Sequence, residues 1–374
     1  MKAKLILVIA ISLLAISLFL SYGFLSGENF GDSLDFYFGI DVAHADVKAI
    51  KEVIDEVSSY TNLFLIGSTG ISHNAAKLDE VCQYLYDRDL HFIVYDETPR
   101  YLDLLNETKN KFGDKFLGLE YEDEMGGCQL DVWKYRPVTE AENHSDAANQ
   151  FVEAINGYLN WPGFSLDFKP TDFRLFTADY ALYWFDYEAG YEVVLAEFGW
   201  NYSRQLNVAL CRGAATIHEK EWGVIVTWTY SHPPYLESGA ELYQDLVYAY
   251  ENGAEYILVY DSNEEYTEGI LKTEHFQAIE QFWNYVKANP MRRDRSSDRV
   301  AYVLPMDYAY GFRGPNDKIW GLWEADAFSL EISENLGEIL EEYGVKLDII
   351  YDDGLELDGT YSKYIFWNGT MITS

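Results

Sequence analysis

The sequence predicts an α/β protein: a (β/α)8 TIM barrel over residues 28–290, followed by a small α/β domain over residues 291–374. Three observations lead there. Eight short, β-rich apolar runs follow one another after residue 30, most are separated by helix-period segments, and a polar, locally basic stretch, NPMRRDRSSDR (289–299), interrupts an otherwise acidic chain. With 374 residues the chain can hold one large domain and a small one.

The runs are FYFGIDVA (36–43), NLFLIGS (62–68), LHFIVYDE (90–97) and FLGLEYEDE (116–124), then FRLFTAD (173–179), YEVVLAEFGW (191–200), WGVIVTWTY (222–230) and EYILVYDS (255–262). Helical periodicity appears in ADVKAIKEVIDEVSSY, AAKLDEVCQYLYDRD, TPRYLDLLNETKNKF, SRQLNVALCRGAATIHEKE, AELYQDLVYAYENGA and TEHFQAIEQFWNYVKAN. Strands alternating with helices make parallel βα units, and eight of them match a barrel. An open doubly wound sheet would carry a glycine-rich phosphate turn after its first strand, and IDVAHAD has none. The longest connection, 125–150, reads as a loop inserted after strand four. Beyond the basic break, RVAYVLPMD, a helix in SLEISENLGEILEEYG, LDIIYDD and YSKYIFWN form the small unit, which stops after its third strand and is therefore minimal or incomplete.

At the N-terminus, Lys2 and Lys4 precede an uncharged apolar run over residues 5–25. That arrangement predicts export, through a signal peptide or an uncleaved membrane anchor over residues 1–27, and an extracellular or cell-surface location. The cysteines Cys82, Cys128 and Cys211 have no metal-binding spacing and read as buried thiols. The sequence leaves the oligomeric state open.

Charge narrows the partners. Against 27 Lys+Arg stand 62 Asp+Glu, a formal charge of −35. Phosphate backbones would be repelled, so nucleic acid is excluded as a partner and a neutral ligand is expected. The 31 Tyr, 21 Phe and 10 Trp supply faces on which sugar rings stack, and equally serve as core.

In a barrel the chemistry sits at the C-terminal strand ends. In order these are Asp41, Ser68, Asp96–Glu97, Glu122–Glu124, Asp179, Glu197, Trp228 with Tyr230, and Asp261. Six of the eight carry acids. Along strand four, Leu117, Leu119 and Tyr121 alternate with Gly118, Glu120, Glu122 and Glu124. The apolar set is expected outside, against helices, and the glutamates toward the barrel axis. Crowded carboxyls have raised pKa values, which is what a general acid requires.

LGLEYEDE resembles the strand-four signature of family 18 chitinases, D-G-x-D-x-D-x-E, with Gly118 at the glycine and Glu124 at the catalytic acid. Leu117, Glu120 and Glu122 stand where that signature has aspartates. Glu124 is also similar to the strand-four acid/base of the large (β/α)8 glycosidase superfamily. Asp123 replaces that group's usual asparagine, and strand seven, TWTY, lacks its nucleophile. The C-terminal unit is loosely similar to the amidotransferase-like domain of some β-galactosidases. The resemblance implies a glycosidase-like barrel of no specific family.

Strand six offers the missing second acid, Glu197. The expected catalytic set is therefore Glu124 as acid/base and Glu197 as nucleophile or base, with Glu122 and Asp123 tuning Glu124 and Glu197 staying ionised. Asp41, Asp96, Asp179, Trp228, Tyr230 and Asp261 are expected to bind substrate, and Trp184, Trp200, Tyr180 and Tyr202 are weaker candidates. No cofactor or metal is expected. No lysine occupies a strand end for Schiff-base chemistry, H-E-x-x-H and G-x-S-x-G are absent, and the acidic DSNEEYTEG after strand eight is unlike a phosphate site. The expected function is a secreted or surface-anchored glycoside hydrolase acting on a neutral poly- or oligosaccharide. The alternative is a non-catalytic surface protein that binds glycan or builds the envelope.

Overall fold

The computed structural model describes residues 36–97, 102–159, 174–290, 298–353 and 359–373. The apolar N-terminal run and most of the basic break lie outside them. Eight parallel strands close into a barrel in sequence order. They are β1 (Tyr37–Val42), β2 (Leu63–Ile66), β3 (His91–Tyr95), β4 (Phe116–Glu120), β5 (Arg174–Asp179), β6 (Val193–Phe198), β7 (Glu221–Val226) and β8 (Tyr256–Tyr260), with β8 returning to pair with β1. Seven strands fall within the runs read from sequence and β7 starts one residue before its run, so the fold class stands as expected.

The surrounding helices are α1 (Val47–Val57), α2 (Ala75–Tyr86), α3 (Leu102–Phe112), α4 (Met125–Leu130), α5 (His144–Leu159), α6 (Tyr183–Ala189), α7 (Arg204–Ile217), α8 (Gly239–Glu251) and α9 (Thr273–Ala288). Their starts are written in the sequence. The Asp46 carboxylate accepts from the amides of Lys48 and Ala49, and Ser203 and Ser238 cap α7 and α8 in the same way. The connection after β4 departs from the expected loop, because α4 opens it and α5 begins within it. Among the described residues, no helix is long and apolar enough to cross a membrane.

Alternate residues fill the barrel, including Leu63, Leu65, Ile93, Phe176, Leu195, Ile225 and Leu258. Leu117 belongs to this interior as well, which corrects its expected outward position. The pairing of β3 with β4 slips between Phe92↔Phe116 and Ile93↔Gly118, so Leu117 is an extra residue in a bulge. Beyond the bulge the expected alternation holds. Gly118 and Glu120 pair with the inward Ile93 and Tyr95, while Leu119 pairs with Val94 and Leu175.

The C-terminal sheet has four strands, β9 (Val300–Leu304), β10 (Leu347–Tyr351), β11 (Lys363–Phe366) and β12 (Met371–Thr373), in the order β10-β9-β11-β12, with α10 (Ala327–Tyr343) between β9 and β10. The short antiparallel β12 is one strand more than the sequence reading foresaw. This sheet packs directly on the barrel's helices. Arg212 of α7 is buried, with Nε 2.7 Å from Asp348 Oδ1, and donates to the carbonyls of Val345 and Leu347. A Cβ on Gly213 would lie 2.4 Å from the Ile349 carbonyl oxygen, so only glycine allows α7 to approach β10 so closely.

Candidate active site

The strand ends surround a cavity of about 480 Å³ at the C-terminal mouth of the barrel. Its acidic wall is Asp41, Glu97, Glu120, Asp123, Glu124 and Glu197, and its aromatic wall includes Tyr95, Trp200, Trp228, Tyr260 and Tyr266.

Glu124 is set by backbone rather than by strand continuation. β4 ends at Glu120, and Glu122 and Glu124 both take left-handed conformations, with φ of 46° and 56°. Such residues are uncommon outside glycine and are held only where surrounding contacts fix them. The Glu124 amide donates to the Ala178 carbonyl at 2.8 Å, and its own carbonyl accepts from the Cys128 amide at 2.7 Å as α4 begins. Two glycines make this turn possible. A Cβ on Gly127 would come within 2.0 Å of the Tyr180 ring, and one on Gly126 within 2.4 Å of the Ala181 carbonyl oxygen.

Glu197 needs no such turn. It follows the inward alternation of Val193 and Leu195 along β6. The Asn207 amide, from α7, donates to the Glu197 carbonyl at 2.7 Å and fixes the strand end.

The two side chains are hydrogen-bonded to each other, so the carboxyls from strands four and six meet across the mouth. Burial raises both pKa values. Glu124 is pushed up to about 8, first by burial and then by the charges of Asp123 and Asp179. Glu197 is more deeply buried and is raised well above the usual carboxylate range, by burial first and Glu124 second. Both carboxyls are thus pushed toward their protonated forms, whereas Glu197 was expected to stay ionised. As interacting acids they titrate as a pair.

Asp41 and Glu120 lie deeper, at 6% and 4% exposure, and burial raises both. Asp123 is open to solvent by area, yet the protein packed around it raises its carboxyl too, while the Tyr95 hydroxyl donates to it at 3.3 Å. Trp228 lines the cavity, its indole N–H donating to the Ser262 carbonyl at 2.9 Å.

Several expected site residues stand elsewhere. Asp179 is wholly buried and accepts from the amides of Gly126, Gly127, Tyr180 and Ala181, so it is the anchor of α4. Asp261 accepts from the amides of Ile270 and Leu271 and folds the loop after β8. Asp96 pairs with His73 Nε2 at 2.9 Å. None of these three lines the cavity, and neither does Glu122 or Tyr230, which is 49% exposed. For Asp179 and Asp261 the physical reason is common: a carboxylate at a strand end is also the nearest acceptor for backbone amides of nearby loops, whereas Asp96 is taken by the His73 ring. Glu122 is turned aside where the left-handed backbone breaks the alternation.

Conversely, Glu97, Glu120, Tyr95, Tyr260 and Tyr266 line the cavity without having been singled out as site residues. Period-two inward alternation carried the signal for Tyr95, Glu120 and Tyr260. Among the described residues no three His, Cys, Asp or Glu side chains are grouped to hold a metal ion. Cys82 and Cys211 are buried thiols as expected, and Cys128 is half-buried.

No protein-family profile matches the chain, and no curated protein matches it. Solved structures of similar fold include the endo-β-1,4-mannanase from Thermotoga petrophila, at 10% identity and TM-score 0.45, covering 72% of this chain and 82% of that one. A structure of the catalytic modules of the pneumococcal exo-β-D-N-acetylglucosaminidase is 11% identical at TM-score 0.43, covering 71% and 87%. The thiamine phosphate pyrophosphorylase from Pyrococcus furiosus, 9% identical at TM-score 0.35, covers 68% and 96%. Glycoside hydrolases are thus among the barrels this chain is similar to, and enzymes of other chemistry are too.

Proposed function

We propose that the chain is a glycoside hydrolase acting on a poly- or oligosaccharide, with Glu124 and Glu197 as its paired carboxylates. The carrying observation is their direct contact across the open mouth of the barrel. Glycosidic bond cleavage needs one carboxyl that gives a proton to the leaving oxygen and one carboxylate that attacks the sugar or activates water. The two acids titrate as a pair, and the singly protonated form of that pair supplies both states.

The depth of Glu197 favours it as the group protonated at rest, hence the general acid. Glu124, nearer the open mouth, is then the carboxylate. Asp123 and Glu120 line the same mouth, and in their ionised forms they would stabilise the positive charge that develops on the sugar in the transition state. Contact between the carboxyls is closer to the roughly 5–5.5 Å separation of retaining enzymes than to the roughly 6.5–9.5 Å of inverting ones, so retention is the stereochemistry we assign. Trp228 and Trp200 present aromatic surface at the cavity's edge. The lysine-led apolar N-terminal run supports export or surface anchoring of the barrel.

The test is a hydrolysis screen of the purified chain against a panel of glycans, read by reducing-end release, with the anomer of the first product followed by NMR. Release of product with the substrate's anomeric configuration is expected. No hydrolysis of any glycan, together with measurable glycan binding, would favour the non-catalytic surface protein instead.

A further inference from the structure

The mouth carries an imbalance of charge that bond cleavage does not require. Besides the Glu124–Glu197 pair, its wall has Asp41, Glu97, Glu120 and Asp123, and none of its lining residues is lysine, arginine or histidine. Buried carboxylates are ordinarily paired with a cation or fully hydrogen-bonded. Asp41 is not: it is 6% exposed, and its Oδ1 is buried with no hydrogen-bond partner. That oxygen lodges against Gly67, where a Cβ would come within 2.2 Å of it, while the Asp41 side chain as a whole lines the cavity. Asp41 is also close enough to Glu120 for its charge to raise the glutamate's pKa.

A metal ion is not the missing cation, since no suitable group of three ligands exists among the described residues. The opposite wall points to an organic one. Trp228 and Tyr260 meet edge to face with centroids 6.0 Å apart, and the Trp228 indole N–H is already committed to Ser262. What remains for a ligand is aromatic face, which attracts ammonium groups.

We propose that the sugar bound in this mouth is a hexosamine with a free amino group, its ammonium held by Asp41 and Glu120 beside the Trp228–Tyr260 wall. The proposal rests on the glycoside-hydrolase reading and replaces the neutral ligand expected from overall charge. An ammonium donates three hydrogen bonds and accepts none, which suits the carboxyl acceptors and π faces of this wall. N-acetylation removes the charge and brings a carbonyl oxygen against the carboxylates.

The experiment is ligand-observed NMR titration of the full chain with glucosamine, galactosamine and mannosamine, each beside its N-acetyl form and its parent hexose. The same series is run on Asp41→Asn and Glu120→Gln, with thermal melts to verify folding. At least one free-amine sugar is expected to bind about 10–100-fold tighter than its two uncharged counterparts, the range of a charge-assisted hydrogen bond. That ratio should fall toward 1 in either variant, whereas loss of structure alone would weaken all three sugars together. Equal or tighter binding of the uncharged forms by the unsubstituted chain overturns the proposal, as does a ratio that persists in both variants. The two readings fail separately. Hydrolysis of neutral glycans without amine preference removes this proposal and leaves the hydrolase. Amine-selective binding without cleavage of any amine-bearing glycan removes the hydrolase and leaves the selectivity.

Discussion

Glu124 and Glu197 interact across the mouth of the barrel, one from a strand-four turn held in left-handed backbone and the other from a strand-six position buried to 4% exposure. Each residue is positioned by a different device. Glu197 rides on regular strand alternation, while Glu124 depends on Gly126, Gly127 and the buried Asp179 beneath α4.

That dependence makes Gly127→Ala informative. The new methyl would meet the Tyr180 ring at 2.0 Å, so either α4 or Tyr180 must move. Overpacking of this kind costs about 1–3 kcal/mol. The expected outcome is a lower unfolding midpoint in denaturant, with a loss of hydrolysis larger than the fraction unfolded explains. Full activity with unchanged stability would show that Glu124 is not held by this turn.

The raised carboxyls also set a pH dependence of stability. An unfolded glutamate titrates at about 4.5, whereas burial pushes Glu124 in the folded protein up to about 8. Between those values the folded state binds more protons than the unfolded one, so raising the pH destabilises it. Stability should be greatest below about pH 4.5 as far as these groups are concerned, and should fall toward pH 8 by an amount on the order of a few kcal/mol. Urea denaturation at pH 5 and pH 8 measures it, and Glu197→Gln should flatten the slope. Stability that rises steadily from pH 5 to pH 8 would contradict the protonated pair.

Outside the site, the Arg212–Asp348 ion pair joins α7 to β10 in a fully buried position. Arg212→Ala leaves the buried Asp348 carboxylate with its longer, 3.4 Å pairing to Arg299 and should cost up to about 3–5 kcal/mol. Arg212→Met combined with Asp348→Leu should recover most of that loss. Calorimetric melting of the two variants checks it, and a single variant as stable as the unsubstituted chain would place the clamp elsewhere.

The two aromatic candidates at the end of β7 should separate cleanly. Trp228 lines the cavity, whereas Tyr230 is exposed outside it. Trp228→Ala is expected to weaken glycan binding by about 10-fold, some 1.4 kcal/mol, within the range of aromatic contacts. Tyr230→Ala should leave binding unchanged. Isothermal titration on both variants decides the matter; equal effects would mean that the cavity is not the binding site.

The barrel was legible because strand and helix periods differ and eight repeats of both survive in the chain. Glu197 was legible for the same reason, as the polar continuation of an inward stripe. Asp96, Asp179 and Asp261 stand outside the cavity, which was hidden because sequence gives a strand-end acid's position but not the partner that claims it, the His73 ring for Asp96 and backbone amides for the other two. The bulge at Leu117 was hidden because one extra residue leaves no mark in an apolar strand. The order of proton affinity was hidden too, because it depends on the relative depth of two residues 73 positions apart in sequence (197 − 124).

The central claim is that Glu124 and Glu197 act as one acid–base unit on a glycosidic bond. The most direct measurement is kcat for Glu124→Gln, Glu197→Gln and the double variant on a glycan the unsubstituted chain cleaves. Each single substitution is expected to lower kcat by about 10²–10⁴-fold. The double variant should be little worse than the poorer single, since groups that act as a unit lose their effect together. Hydrolysis that survives both substitutions within about 10-fold of the unsubstituted rate, below that range, would contradict the account.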